Sequence, residues 1–323
     1  MRPNAVSAVL MLASTLACSS AVARVQTLRK TPPPSASQLS ELWVDPGSGA
    51  RDLFWGSGGR DHAPRPDAVY KLVATDTSGF SVSYDVRSPD ETEWSAKVGP
   101  EAQTEVVMSR ILWGLGYHQP PLYYLPVWKL DEGREGQRDG SEARFRPKLA
   151  SLHRVGEPWR WTDNPFLGAR ELRGMLVVLL MLNSTDLKDE NNSVYDIVEP
   201  RDGVKRWFVV RDLGAALGET GKWYPRRNWL DGFEKSRFIT GISGDHIDFG
   251  YHGRHQELLS LVTSADLRWA SAHMSRLTDK QWRDAFRAGN YDDIETTRYL
   301  RVIKQRIADA AVPRPDSTAP EHH

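Results

Sequence analysis

The sequence predicts an α+β chain of two lobes, a small antiparallel β-rich lobe over residues 67–149 and a larger helical lobe over 150–312. Three observations carry that expectation. Between Val69 and Val98, three β-rich runs are separated by the turn-forming clusters Thr75-Asp76-Thr77-Ser78-Gly79 and Ser88-Pro89-Asp90-Glu91. From about residue 150 the apolar positions change to helical spacing, as at Leu172, Leu176, Leu179 and Leu180. Two short acidic motifs, Asp186 to Asn191 and Asp212 to Gly214, fall at the join of these regimes.

At the N-terminus, Arg2 precedes an apolar stretch from Ala5 to Ala17, and Ala21-Val22-Ala23 supplies small residues for cleavage. Residues 1–23 therefore read as a secretion signal. The mature chain is expected to begin near Arg24 and to be exported, periplasmic or extracellular. Cys18 is the single cysteine and sits in an imperfect lipobox, Thr15-Leu16-Ala17-Cys18, so a lipoprotein anchor is the alternative. Cleavage at Ala23 leaves no thiol, which excludes disulfides, thiol nucleophiles and cysteine-ligated metals.

Residues 24–66 read as a flexible linker, from Pro32-Pro33-Pro34 and the Gly-rich stretch from Gly47 to Gly59. Gly56-Ser57-Gly58-Gly59 follows no strand and reads as a loop rather than a phosphate cradle. Strands are expected at Val69–Ala74, Phe80–Val86 and Glu93–Val98, forming a meander. A helix with Val106, Ile111 and Leu115 follows and stops at Gly116. Two further strands are expected at Leu122–Leu130 and Ala143–Leu149, with the charged Glu132–Glu142 stretch as an exposed turn.

In the second lobe, Asn164-Pro165 has the cap-plus-first-turn chemistry of a helix start. The Leu172–Leu180 helix leads into the first acidic motif. Trp207 to Arg211 is strand-like and leads into the second, and Gly218 to Gly253 reads as irregular. Three helices close the lobe, at about Ala265–Leu277, from the capping box Thr278-x-x-Gln281 to Gly289, and at about Ile294–Ala311. Residues 313–323 read as a disordered tail.

Composition narrows the partners. The 323 residues carry 42 basic and 42 acidic side chains, so the formal net charge is zero. Such a chain lacks the positive field that dominates nucleic-acid affinity, and no nucleic-acid partner is expected. The longest apolar run after the signal, Met175 to Leu182, is far short of the ~20 residues a bilayer requires, so no transmembrane segment is expected in the mature chain. His246, His252 and His255, with Asp245 and Asp248, offer a metal site and hence a metal-dependent hydrolase as an alternative, although Gly250 and Gly253 interrupt the segment. Trp159-Arg160-Trp161 and Trp223-Tyr224 read as core or interface rings before ligand-stacking ones.

The acidic motifs carry the chemistry. Phosphoryl transfer needs a carboxylate to orient the attacking hydroxyl, a cation for the γ-phosphate, and an amide with a second carboxylate for Mg²⁺. Asp186, Lys188, Asn191 and Asp212 supply these groups in the order Asp186-x-Lys188-x-x-Asn191 and Asp212-x-Gly214. On these residues the chain resembles the protein-kinase-like superfamily, in its atypical HipA-like and CotH-like secreted branches. The resemblance implies a two-lobed kinase-like fold, ATP with Mg²⁺ or Mn²⁺, and a hydroxyl-bearing acceptor of unidentified class. It assigns Asp186 and Lys188 to catalysis and Asn191 and Asp212 to the metal. It also assigns Lys97, near the end of the third strand, to the nucleotide phosphates, oriented by Glu105 at the start of the following helix. The chain departs from the common pattern at Ser184-Thr185, where His-Arg would precede the aspartate, and no Ala-Pro-Glu closes the segment after Asp212. Asn183, three residues before Asp186, resembles instead the opening of HipA-like and lipid-kinase-like loops, and Asn192 is the alternative to Asn191. A nucleotide-binding pseudokinase is the second functional reading.

Overall fold

Trp94 and Ala96 alternate with Ser95 and Lys97, and that period of two makes β3 (Glu93–Val98) a strand with one buried face. In the computed structural model, which describes residues 28, 30–47, 51–78, 81–201, 203–220 and 225–313, β3 is central to a seven-stranded sheet. Its meander partners are β1 (Val69–Asp76) and β2 (Ser83–Arg87), as expected. The sheet continues on one side through β7 (Ala143–Pro147) to β4 (Tyr123–Leu125). On the other side it continues through β5 (Trp128–Asp131), parallel to β1, to β6 (Gln137–Gly140). Tyr70, Val86, Trp94, Ala96, Trp128 and Phe145 fill its buried face. The helix α1 (Ala102–Gly114) packs against β7.

The single strand expected at Leu122–Leu130 is two strands, broken at Pro126-Val127, and the pieces go to opposite sides of the sheet, β4 at one edge and β5 next to the edge strand β6. Proline cannot donate to a ladder, so a continuous central strand there is excluded. The Glu132–Glu142 segment contains β6, whose charged side chains suit an exposed edge.

The second lobe is built on α2 (Arg170–Met181), buried from Gly174 through Met181. It begins at Arg170 and not at Pro165; Asn164 Oδ1 instead accepts from the Phe166 amide at 2.9 Å in a local turn. Around α2 pack α4 (Ser264–Met274) and α6 (Asp293–Ala311), with α5 (Asp279–Ala288) reaching back to α1. Gly174 lets α4 approach, since a Cβ there would lie 2.2 Å from the Trp269 ring. The expected capping box at Thr278 and Gln281 is formed, and Thr263 with Asp266 and Asp292 with Glu295 cap α4 and α6 in the same way. The stretch expected to be irregular holds a short helix, α3 (Leu230–Lys235), and a hairpin of β11 (Ile239–Ser243) with β12 (His246–Phe249). Between the lobes, β8 (Leu152–Val155), β9 (Asn192–Arg201) and β10 (Val204–Val210) form a three-stranded sheet. This is the order of a β-rich lobe followed by a helical lobe that the sequence predicts. No helix among the described residues is long and apolar enough to cross a membrane. The expected signal segment, residues 314–323 of the tail, and Trp223-Tyr224 lie outside the described residues.

The described residues of the stretch expected as a flexible linker form a packed strap. Its backbone is largely irregular, as its Pro and Gly content dictates, but Leu42 and Leu53 are fully buried in the core of the helical lobe. The Val44 amide donates to Gly116 O, Trp43 Nε1 donates to Leu115 O, and the Phe208 amide donates to Glu41 O. Sparse apolar anchors in a polar segment give no periodic signal, which is why composition alone misreads it. Leu53→Ala is therefore expected to cost about 2–5 kcal/mol, as for a buried leucine elsewhere in a core. Urea denaturation reads this directly, and a midpoint equal to the parent's would show that the strap lies outside the cooperative unit.

Candidate active site

Three chain segments converge on one cleft. Lys97 comes from β3 and Asp186, Lys188 and Asn191 from the loop after α2. Asp212 comes from the turn after β10, and all five line the same cavity of about 440 Å³. The loop is held by its own backbone and by the second motif. Asn183 takes a left-handed conformation (φ 54°), the Thr185 amide donates to Ala215 O at 2.9 Å, and Leu187 is buried as an anchor. Arg306 of α6 reaches in from behind. Its guanidinium donates to Met181 O at 2.6 Å, Asn183 Oδ1 at 2.9 Å, Phe233 O at 2.9 Å and Ser236 O at 2.8 Å. Burial lowers its pKa to about 10, which leaves it charged at neutral pH.

Asp186 pairs with Lys188 at 3.0 Å, and Asn191 Nδ2 donates to Asp186 O at 3.1 Å. The Asn191 backbone oxygen accepts from the Arg211 amide at 2.8 Å, while its side-chain Oδ1 makes no hydrogen bond among the described residues and stays available as a ligand. Asn192, the alternative, is fully buried and donates to Trp159 O at 2.9 Å, so it belongs to the core. Asp212 sits at φ 52°, a region aspartate tolerates, with its side chain 42% exposed. Gly214 is required by proximity, since a Cβ there would lie 2.5 Å from Glu101 Cβ.

The lysine pairing differs from the expected one. Lys97 Nζ contacts Asp212 Oδ1 and lies 3.1 Å from Glu101 Oε2, and Glu101 in turn contacts Arg227. Glu105, assigned to Lys97 from the sequence, makes no ion pair with it. Its carboxylate is gripped by Arg144 at 3.1 Å and Arg146 at 3.0 Å, both on β7. Burial pushes the Glu105 pKa up, but Arg144, Arg146 and the more distant Lys97 outweigh it and hold the group at about 2. Glu101 at the cap of α1 and Glu105 one turn later both follow the lysine strand, and only the start of the helix decides which one meets Lys97.

Asp212 and Asn191 offer a carboxylate and an amide oxygen, a donor set for a hard cation completed by phosphate oxygens. Among the described residues no group of three His, Cys, Asp or Glu side chains is placed to hold a metal by itself. His246 pairs with Asp248 at 3.1 Å, while His255 lies 3.6 Å from Asp189, so the histidines serve separate contacts. Trp159 and Trp161 are core rings, packed 4.8 Å apart.

The chain matches no protein-family model and no curated protein sequence. Among solved structures it is similar to the Helicobacter pylori proinflammatory kinase CtkA, at 10% identity and a TM-score of 0.44, over 75% of this chain and 96% of that one. It is also similar to a golgi casein kinase, at 10% identity and a TM-score of 0.39, over 90% of this chain and 88% of that one.

Proposed function

We propose that the protein is an exported kinase-like phosphotransferase that moves the γ-phosphate of ATP to a hydroxyl acceptor. The observation that carries the reading is the convergence of Lys97, Asp186, Lys188, Asn191 and Asp212 on one cleft, from segments as far apart as Lys97 and Asp212. Asp186 accepts the proton of the acceptor hydroxyl as its oxygen attacks phosphorus, and Lys188, beside it, meets the negative charge of the transferred group. Lys97, steadied by Glu101, binds the phosphate chain. Asp212 and Asn191 would hold Mg²⁺ or Mn²⁺, which when bound neutralises charge on the β- and γ-phosphate oxygens. A pseudokinase acting as a binding module is the second reading. It is favoured by the mutual pairing of Lys97 with Asp212 and Lys188 with Asp186, which leaves both carboxylates engaged in the free protein.

Binding to the folded state alone stabilises it by about 2.7 kcal/mol at a hundred times Kd. Millimolar ATP with Mg²⁺ or Mn²⁺ is therefore expected to raise the melting temperature by several degrees, and EDTA to reverse the rise. Absence of any shift with either metal would remove the nucleotide from the proposal.

A further inference from the structure

The cleft has an unusual wall. Among the described residues, every side chain lining it is polar or charged, and none is aliphatic or aromatic. Small-molecule sites are ordinarily lined by apolar groups with a few polar ones for orientation. Arginines stand here in their place: Arg144 and Arg146 on β7, Arg154 on β8 and Arg211 at the end of β10, with Arg227, which contacts Glu101, as a fifth.

Their charges are not balanced. Arg144 and Arg146 share the single carboxylate of Glu105, and neither Arg154 nor Arg211 has an ion pair among the described residues. Arg144 is 5% exposed, and Arg144 Nη1, Arg146 Nε and Arg211 Nε are buried without a hydrogen-bond acceptor. The carboxylates of Asp76 and Glu190 also face the cleft, but both residues are exposed at its rim. Unpaired buried cations are costly, and a bound polyanion removes the cost. Guanidinium forks match phosphate oxygens in bidentate geometry. Arg211 also precedes Asp212 directly, and its amide donates to Asn191 O at 2.8 Å, which ties it to both proposed metal ligands.

We infer that the phosphate donor is held through its polyphosphate chain by Arg144, Arg146, Arg154 and Arg211, and that its base contributes little. The site then takes ATP, GTP and inorganic tripolyphosphate with similar affinity. The inference rests on the phosphotransferase reading and specifies its donor.

Calorimetric titration of the full chain with the Mg²⁺ complexes of ATP, GTP and tripolyphosphate tests it. Dissociation constants within about tenfold of one another are expected, all weakening as salt is raised. Arg211→Ala should weaken all three by a similar factor, about tenfold or more. Arg154→Ala, at an exposed position, should do the same in smaller measure and covers the case in which Arg211→Ala does not fold. ATP binding more than a hundredfold tighter than tripolyphosphate would overturn the inference and leave the phosphotransferase reading standing. So would unchanged ATP affinity in the arginine variants. If none of the three ligands binds, the inference and the underlying reading fall together.

Discussion

Asp186→Asn is expected to abolish most phosphoryl transfer, by about a hundredfold or more, while leaving metal-nucleotide binding nearly intact. The substitution preserves the size of the side chain and removes only its ability to take a proton. It also frees Lys188, which pairs with Asp186 at 3.0 Å, so binding of the phosphate chain is not expected to suffer. Asp212→Asn should fail in the opposite way. It removes charge from the metal ligand set and the partner of Lys97, so affinity for metal-ATP should fall strongly. Calorimetry and a turnover assay on both variants separate the two roles. An Asp186→Asn protein as active as its parent would end the assignment of that loop to catalysis. A parent that binds ATP without turning it over would move the pseudokinase reading to the front.

Glu105→Gln should be the most destabilising change near the cleft. Glu105 is 1% exposed and is the one carboxylate between two guanidinium groups, and Arg144 is itself 5% exposed. Breaking a buried pair by neutralising one partner typically costs about 3–5 kcal/mol, because the charges left behind stay buried. The pH dependence follows from the direction of the shift. The folded-state pKa of Glu105 is depressed to about 2 from an ordinary 4.5, so its stabilisation is fully present above about 4.5 and is lost as pH falls toward 2. Urea melts of parent and variant should therefore differ widely at neutral pH and converge as the solution is acidified through that window. A variant within 1 kcal/mol of the parent at pH 7, a threshold below the ordinary range for such pairs, would mean that the arginines find other partners.

Much of this architecture was legible in the residues, for physical reasons that can be named. Strand β3 was read to its boundaries because Trp94 and Ala96 alternate with polar neighbours, and the capping box at Thr278 because local hydrogen bonding fixes it. The strap was illegible because Leu42 and Leu53 are too few to set a period, and their burial depends on a core assembled from much later residues. In the cleft, Asp186, Lys188, Asn191 and Asp212 were readable as a spaced set of residue types. The partner of Lys97 was not, since Glu101 and Glu105 stand four apart on the same helical face and sequence does not say which lies under the lysine. The arginines escaped notice because a charged residue in a strand ordinarily reads as its solvent side. The spacing in Arg144-Phe145-Arg146 was the available signal: a period of two puts both guanidinium groups on one face, opposite the buried Phe145.

The four hydrogen bonds of Arg306 have a consequence for the order in which the molecule matures. Asn183 opens the loop that carries Asp186, yet the side chain that grips it lies 123 positions later in the chain. At ribosomal rates of roughly 5–20 residues per second, the loop waits on the order of 6–25 s after its own synthesis for that guanidinium to be made. Through that interval the β-rich lobe can close its sheet, while the loop is held only by nearer contacts such as the Thr185 amide to Ala215 O and Asn183 Nδ2 to Gly218 O. The chemistry of the cleft is thereby deferred until nearly all of the helical lobe has been translated.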